Sequence, residues 1–331
     1  MKIGSFEYVS QQEYWEYFLS QDDSIELLKY DVTNDKKIEL FNKYVMVVNI
    51  ETSSYCNRVC DYCPVSNLEI KNKEFMSNDN FDKILADLRE LDYSNIITLN
   101  LFNEPLASLE NFLSRVHSIK NASPKAYIRM NSNGDYLTKK KLIMLKEAGV
   151  SELLITMHTK KNEIYNDDKQ HQRCKEFINK LGLNSFKILK NFEEEKNISY
   201  EIMWENVRIL VVSNNWGTYG NDRGGSLEHL SKELRNTPCL VPFREIVVDY
   251  NGLAVICWNV FRNEFNKIGK VGENGLIDIY FNKPAVDLRR EMFGYGPKNG
   301  IHKTCNVPSY TNEDTNEKRQ ILLKNSNLSI K

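Results

Sequence analysis

The chain has 331 residues, enough for one large domain or two moderate ones, and at 41% hydrophobic and 27% charged it can bury a sizeable core. Lys plus Arg total 44 against 45 Asp plus Glu, so a formal charge of -1 gives no general pull toward nucleic acid or an anionic membrane. The first seven residues carry Lys2 and Glu7 and lead into no apolar core of a secretion signal, and no apolar run approaches the ~18 residues of a membrane span. Seven cysteines, an odd number and clustered, favour metal ligation in a reducing, cytoplasmic setting over a disulfide framework.

Residues 1–43 are polar and rich in aromatics (Tyr8, Tyr14, Trp15, Tyr17, Phe18), and Gln11 to Leu19 suits a short amphipathic helix in a cap over the main domain. The segment is shorter than an added leader-peptide-binding domain of about 80 residues. Tyr44 to Ile50 is a continuous apolar, β-branched run that reads as a buried parallel strand. A β/α alternation follows. Ser77 or Asn78 caps a helix to about Leu91, with Phe81, Ile84, Leu85 and Leu88 at helical spacing. Strands are expected at Ile96–Phe102, Ala126–Met130 and Leu153–Met157, with helices at Leu109–Ile119, Leu137–Ala148 (closed by Gly149) and Gln170–Leu181 (closed by Gly182). A fifth strand is placed at Phe186–Leu189 and a sixth at Val207–Ser213, while Glu193-Glu194-Glu195-Lys196 reads as a solvated loop or helix face. Trp216 to Gly225 is glycine- and aromatic-rich, as suits a plain linker or a cover over a site mouth. Residues after Ser309 read as a surface helix and loose tail.

The chemistry-bearing stretch is Cys56-Asn57-Arg58-Val59-Cys60-Asp61-Tyr62-Cys63, directly after the first strand. Sites at the C-terminal ends of parallel strands are the rule in α/β barrels and doubly wound sheets. Thiolates are the natural ligands of iron–sulfur clusters, and three of them can hold a [4Fe–4S] cube with one iron left open. A zinc knuckle or three buried thiols are the alternatives, but a closed zinc site takes four ligands, and the nearest histidine in sequence is His117.

The C-x3-C-x-aromatic-C spacing resembles the signature of radical S-adenosylmethionine enzymes. The resemblance implies an α/β fold with a partial (β/α)6 barrel, a catalytic [4Fe–4S] cluster on Cys56, Cys60 and Cys63, and S-adenosylmethionine on the open iron. It implies reduction by a flavodoxin- or ferredoxin-type partner. The radical made from the cofactor then takes hydrogen from a substrate C–H bond. By the same resemblance Tyr62 lies by the adenine, and Asn103 and Glu104 meet the methionine amino group, as a carboxylate suits an ammonium. Phe102-Asn103 stand where the family has glycines. Asn131 and Ser132, in Asn131-Ser132-Asn133-Gly134, resemble a site-lining Thr-Asn-Gly stretch. Thr156 would meet the ribose and Arg208 the carboxylate. His158, where the family often has Asp, would face the substrate or cap the strand. Cys174 is a candidate hydrogen donor or a small buried hydrophobe.

A second set begins at Cys239, followed by Gly252 and Cys257, with Tyr250-Asn251-Gly252 between apolar runs as a hairpin turn, and ends with Cys305. This resembles the SPASM domain or its shorter form, the twitch domain, including Ile268 to Val271 as a strand and Leu288-Arg289 in a helix. Pro308 stands where the family's next cysteine would be. One auxiliary [4Fe–4S] cluster on Cys239, Cys257 and Cys305 would need a fourth ligand from a side chain, solvent or substrate; otherwise these cysteines are structural. The expected layout is a cap (1–43), barrel (44–215), linker (216–238), auxiliary domain (239–308) and tail (309–331). Within the resembled family, dehydrogenation or epimerisation of a small aminocyclitol- or sugar-like metabolite is favoured over maturation of a short ribosomal peptide. A non-catalytic electron-transfer or redox-sensing protein is the alternative of another class.

Overall fold

The computed structural model describes residues 11–67, 73–160, 163–189, 197–220, 222–224, 226–230, 233–255, 257–261, 267–307, 309, 311–326, 328 and 330. Residues 1–10, the acidic run Glu193–Lys196, Asn221, Gly225 and Pro308 lie outside the described residues.

From the N-terminus, α1 is Gln11–Leu19 and α2 is Asn34–Tyr44, followed by β1 at Val47–Ile50. Helix α3 (Asn78–Glu90) starts where Ser77 accepts a hydrogen bond from the Asn80 amide, a standard cap. Then come β2 (Ile96–Thr98), α4 (Leu109–Ala122), β3 (Tyr127–Ser132), α5 (Lys139–Ala148), β4 (Val150–Thr156) and α6 (Asp167–Lys180). Thr138 and Asn166 cap α5 and α6, and Gly149 closes α5 at φ 101, in the left-handed region glycine adopts without strain. Three strands follow, β5 (Lys187–Ile188), β6 (Asn197–Trp204) and β7 (Val207–Asn214), then the short helices α7 (Trp216–Tyr219) and α8 (Val241–Arg244). The chain closes with β8 (Glu245–Val248), β9 (Leu253–Val255), β10 (Gly269–Lys270), α9 (Leu276–Phe281), α10 (Lys283–Phe293) and α11 (Glu313–Ser326). No described helix is long and apolar enough to cross a membrane.

The chain divides into two compact units, neither continuous in sequence. One comprises residues 50–76 and 96–220. Its sheet runs β2-β3-β4-β7-β6-β5, with β2, β3, β4 and β7 parallel. Burial alternates along β3 and β7, and α4, α5 and α6 supply Phe112, Val116, Leu142, Leu145, Phe177 and Ile178 to the core. The expected sixfold β/α alternation stops after α6. The 187–188 strand is two residues long and pairs antiparallel to β6, which itself forms an antiparallel hairpin with β7 through Glu205 at φ 52. β6 was not expected: Ile198, Tyr200 and Ile202 alternate inward along it, yet the acidic run before it reads as loop.

The other unit comprises residues 1–49, 77–95 and 221–331. It holds the strand order β10-β9-β8-β1, with β9 antiparallel to both β8 and β10. The expected hairpin is present: Asp249 accepts from the amides of Asn251 and Leu253, and Gly252 sits at φ 83. A side chain at Gly252 would also meet Asn80 Nδ2 at 2.6 Å and push it aside, but the positive φ is the stronger reason for glycine here. The N-terminal aromatics pack within this unit, with Phe18 4.9 Å from Phe243 and Trp15 6.0 Å from Phe293 between ring centroids. The C-terminal segment carries the expected helix, and that helix is packed into the unit rather than resting on its surface. Helix α11 buries Thr315, Arg319, Leu322 and Leu323, and the Arg319 guanidinium lies over the Phe293 and Tyr295 rings.

Candidate active site

Cys56, Cys60 and Cys63 carry half-buried thiols. The Cys63 amide donates to the Cys60 carbonyl at 2.9 Å, making a tight turn that holds the last two thiols at i and i+3. Burial pushes the Cys56 thiol up to about 11 and raises Cys60, and the nearby Cys63 raises both further. Such a trio is costly to ionise together without a cation, and metal ligation supplies that charge. Among the described residues no three His, Cys, Asp or Glu side chains converge on one metal ion. A cubane makes a different demand, since its thiolates bind separate irons.

The loop bearing these thiols is tied to its neighbours in the 50–76/96–220 unit. Arg58 donates Nε and Nη2 to the two oxygens of Asp135 at 2.8 and 2.5 Å, and Asn57 Nδ2 donates to the same carboxylate at 2.8 Å. Asn133 Nδ2 donates to Asn57 Oδ1 at 2.8 Å and lies 3.9 Å from the Cys56 sulfur. Burial works to raise the Asp135 carboxyl, but Arg58 and Asn57 outweigh it and hold it below the usual carboxylate range.

Glu104 knots the loop after β2 to the end of β3. Its Oε1 accepts from Ser132 Oγ at 2.8 Å and the Leu106 amide at 3.0 Å, and its Oε2 accepts from the Asn133 amide at 2.8 Å. Its own amide donates to the Tyr55 carbonyl at 2.9 Å. Burial raises its pKa against the pull of these donors. A carboxylate has about four lone-pair positions, so one is left for a further donor. Asn103 spends its side chain locally, accepting from the Leu101 amide and donating to Ser53 Oγ, both at 3.1 Å. It shapes the loop, which answers the absence of glycine there. Asn131 donates its amide to Asn100 Oδ1, while its own Oδ1 is buried without a partner.

Tyr62 and His158 meet: the phenol and His158 Nδ1 are 2.5 Å apart. Burial, reinforced by Arg58, lowers His158 to about 4, so it is neutral near pH 7. The Tyr62 ring also stacks on Trp216 at 4.8 Å and 21°, and the Trp216 indole nitrogen is buried without a partner. Thr156 ends β4 at its C-terminal edge. The cysteine loop therefore joins residues after β2, β3, β4 and β7.

Two expected residues are not brought to this edge. Arg208 is the second residue of β7, at the opposite, N-terminal end of the parallel strands, where it pairs with Glu152 at 3.1 Å and Glu201 at 2.7 Å. Cys174 is fully buried on α6, its thiol pushed up to about 12 by burial, with Tyr165 and Tyr200 as the titratable groups near it. It packs as a core residue. Sequence reasoning missed Asp135 as the anchor of Arg58 and Trp216 as the stacking partner of Tyr62. Asp135 directly follows the Asn-Gly pair, and Trp216 lies two residues past the end of β7; those positions were the available signals.

Cys239, Cys257 and Cys305 lie together in the other unit, each under a tenth exposed, and Cys257 is raised by burial and then by Cys305 and Cys239. Asn259 donates its amide to Cys257 Sγ at 3.3 Å, and its Nδ2 lies 3.9 Å from Cys305 Sγ. Buried Arg235 donates to the carbonyls of Thr237, Pro238, Cys305 and Val307. It makes no carboxylate ion pair among the described residues, so this buried cation has room for an anionic group of thiolates beside it. Asp222–Gly224 of the glycine-rich connection is built into the same unit, with Asp222 buried and hydrogen-bonded to Thr304.

The Radical SAM superfamily model matches residues 50–211. The S-adenosyl-L-methionine-dependent 2-deoxy-scyllo-inosamine dehydrogenase of Niallia circulans is 26% identical over 278 residues, 82% of this chain and 97% of that protein. The crystal structure of BtrN in complex with AdoMet and 2-DOIA matches with a TM-score of 0.54 at 23% identity, covering 75% of this chain and 87% of that one. The selenomethionine BtrN structure in an open conformation gives 0.55 at 21%, covering 82% and 97%. At these identities the two structures speak for the α/β fold. Residues 50–211 of this chain form a radical SAM domain, the catalytic domain of a radical SAM enzyme.

Proposed function

We propose that the chain dehydrogenates a hydroxyl-bearing carbon of a small aminocyclitol such as 2-deoxy-scyllo-inosamine, using a catalytic [4Fe–4S] cluster, S-adenosylmethionine and an auxiliary [4Fe–4S] cluster. The observation that carries the reading is the docking of the Cys56–Cys63 loop onto the ends of β2, β3, β4 and β7 by Glu104, Asp135 and Tyr62. Supporting the substrate class is a relative of that activity matched over 97% of its own length.

In this reading Cys56, Cys60 and Cys63 hold the catalytic cluster. The free lone pair of Glu104 and the unpartnered Asn131 Oδ1 accept from the cofactor's ammonium. Ser132 orients Glu104, and Asn103 braces the loop. Tyr62 and Trp216 offer a flat aromatic surface for the adenine, and Thr156 offers a hydroxyl to the ribose. His158, neutral and held at Nδ1 by Tyr62, presents its other nitrogen toward the substrate. When bound, the cofactors would supply a carbon-centred radical to take one hydrogen atom from the hydroxyl-bearing carbon and an acceptor for the electron then given up, with the hydroxyl proton leaving to solvent. The protein's part is to orient the reacting groups and exclude water.

The barrel spans 44–215 in this reading, the cap 1–43, the linker 216–238 and the tail 309–331. Residues 239–308 are a twitch-like auxiliary domain in which Cys239, Cys257 and Cys305 hold the second cluster beside Arg235. A flavodoxin- or ferredoxin-type reductant in the cytoplasm supplies electrons, with neither nucleic acid nor membrane as partner. The test is anaerobic turnover with S-adenosylmethionine. 2-Deoxy-scyllo-inosamine should raise 5′-deoxyadenosine formation and yield a ketone, whereas stimulation by a short peptide alone would overturn the assignment.

A further inference from the structure

The auxiliary site has three thiols and needs one more ligand. His302 lies three residues before Cys305 and is 7% exposed. Its Nε2 is buried with no hydrogen-bond partner. A polar nitrogen in that state has given up its hydrogen bond to water without a replacement, which points to a ligand that it would bind.

The local backbone matches a ligand turn already present in the molecule. The Cys305 amide donates to the His302 carbonyl at 3.3 Å, as the Cys63 amide does to the Cys60 carbonyl at 2.9 Å. Both turns hold two donor side chains at i and i+3. The His302–Cys305 turn is clamped on several sides. The Arg235 amide donates to the Lys303 carbonyl at 2.8 Å, Arg235 Nη1 to the Cys305 carbonyl at 3.3 Å, and Thr304 is bonded to Asp222. Arg235 and Lys298 flank both His302 and Cys239 electrostatically. Other polar side chains nearby already have partners: Asp222 accepts from Thr304 and the Gly224 amide, Glu245 pairs with Asn49 and Arg244, and Asn259 accepts from Arg223 while its Nδ2 faces Cys305 Sγ.

We propose that His302 is the fourth protein ligand of the auxiliary cluster, binding through Nε2, so that the ligand set is Cys239, Cys257, His302 and Cys305. The C-x2-C pair implied by the family resemblance then falls on His302-x2-Cys305, not on Cys305 and Pro308. Neutral imidazole is a competent iron ligand and places one negative charge fewer on the cluster than thiolate does, which raises the reduction potential. The buried site, with its guanidinium and its single unpartnered imidazole nitrogen, suits a cluster tuned to accept an electron.

The assignment rests on the reading that residues 239–308 hold a cluster, and one preparation separates the two claims. In the full chain carrying Cys56→Ala, Cys60→Ala and Cys63→Ala, anaerobic reconstitution should leave about four irons, one cubane. After reduction, pulsed electron paramagnetic resonance should show nitrogen hyperfine coupling that changes on 15N-histidine labelling. Adding His302→Ala should abolish that coupling. His302→Cys should keep about four irons, lose the coupling and lower the midpoint potential; it also guards against the alanine variant simply failing to fold. About four irons with no histidine coupling, or coupling that persists in His302→Ala, overturns the ligand assignment alone. No iron in the three-alanine background overturns the auxiliary cluster and His302 with it.

Discussion

Arg58 and Asp135 form a two-pronged ion pair across 77 residues of sequence, and it fastens the cysteine loop to the end of β3. The pair is about a third exposed on each side, at 28% and 34%. Its contribution to global stability is therefore on the order of 1 kcal/mol. Its larger effect is local, because it fixes the segment between Cys56 and Cys60.

Asp135→Ala should accordingly shift the unfolding midpoint only slightly while lowering iron retention at the first site. The reversed pair, Arg58→Asp with Asp135→Arg, should recover part of that iron. Metal analysis beside urea unfolding checks both. Equal iron retention in Asp135→Ala and the parent would show that the pair does not hold the loop.

Glu104→Gln removes one carboxylate oxygen from a group with three donors already aimed at it. An amide NH2 facing those donors leaves at least one unsatisfied. S-Adenosylmethionine affinity should fall about 10-fold, the factor that ~1.4 kcal/mol represents. Titration calorimetry on the iron-loaded protein measures it.

Gly134 follows the β3 loop at φ 76, and a Cβ there would lie 2.9 Å from Ile155 Cγ2 and 3.0 Å from Phe177. Gly134→Ala therefore combines a strained backbone with overpacking and should cost about 1–3 kcal/mol. Chemical denaturation gives the value, and an unchanged midpoint would contradict the packing described.

His158 has a pH signature. Burial lowers it to about 4, with Arg58 adding to that, Asp135 opposing and Tyr62 hydrogen-bonded to its Nδ1. Below about 6.5 the unfolded chain takes up a proton that the folded one refuses, so folding stability falls as pH drops from about 6.5 to about 4. In cofactor-free protein, His158→Asn should flatten that part of the stability profile. An identical slope in both proteins would count against the buried neutral ring.

The first cysteine set was legible because its spacing is contiguous in sequence, and the hairpin because Asn251-Gly252 names its own turn. β6 was hidden by the acidic run before it and by a turn at Glu205 that uses no glycine. Arg208 was misplaced for a reason the sequence did contain. As the second residue of a parallel strand it starts that strand, and sites form where such strands end. Asp135 and Trp216 could not be paired with Arg58 and Tyr62 without the fold, because nothing local links residues so far apart.

The most direct test of the account is isotopic. The iron-loaded protein would be reduced anaerobically with S-adenosylmethionine and 2-deoxy-scyllo-inosamine carrying deuterium on the carbon to be oxidised. The account predicts 5′-deoxyadenosine bearing one deuterium, formed together with the ketone. Unlabelled 5′-deoxyadenosine with the aminocyclitol unchanged would contradict it.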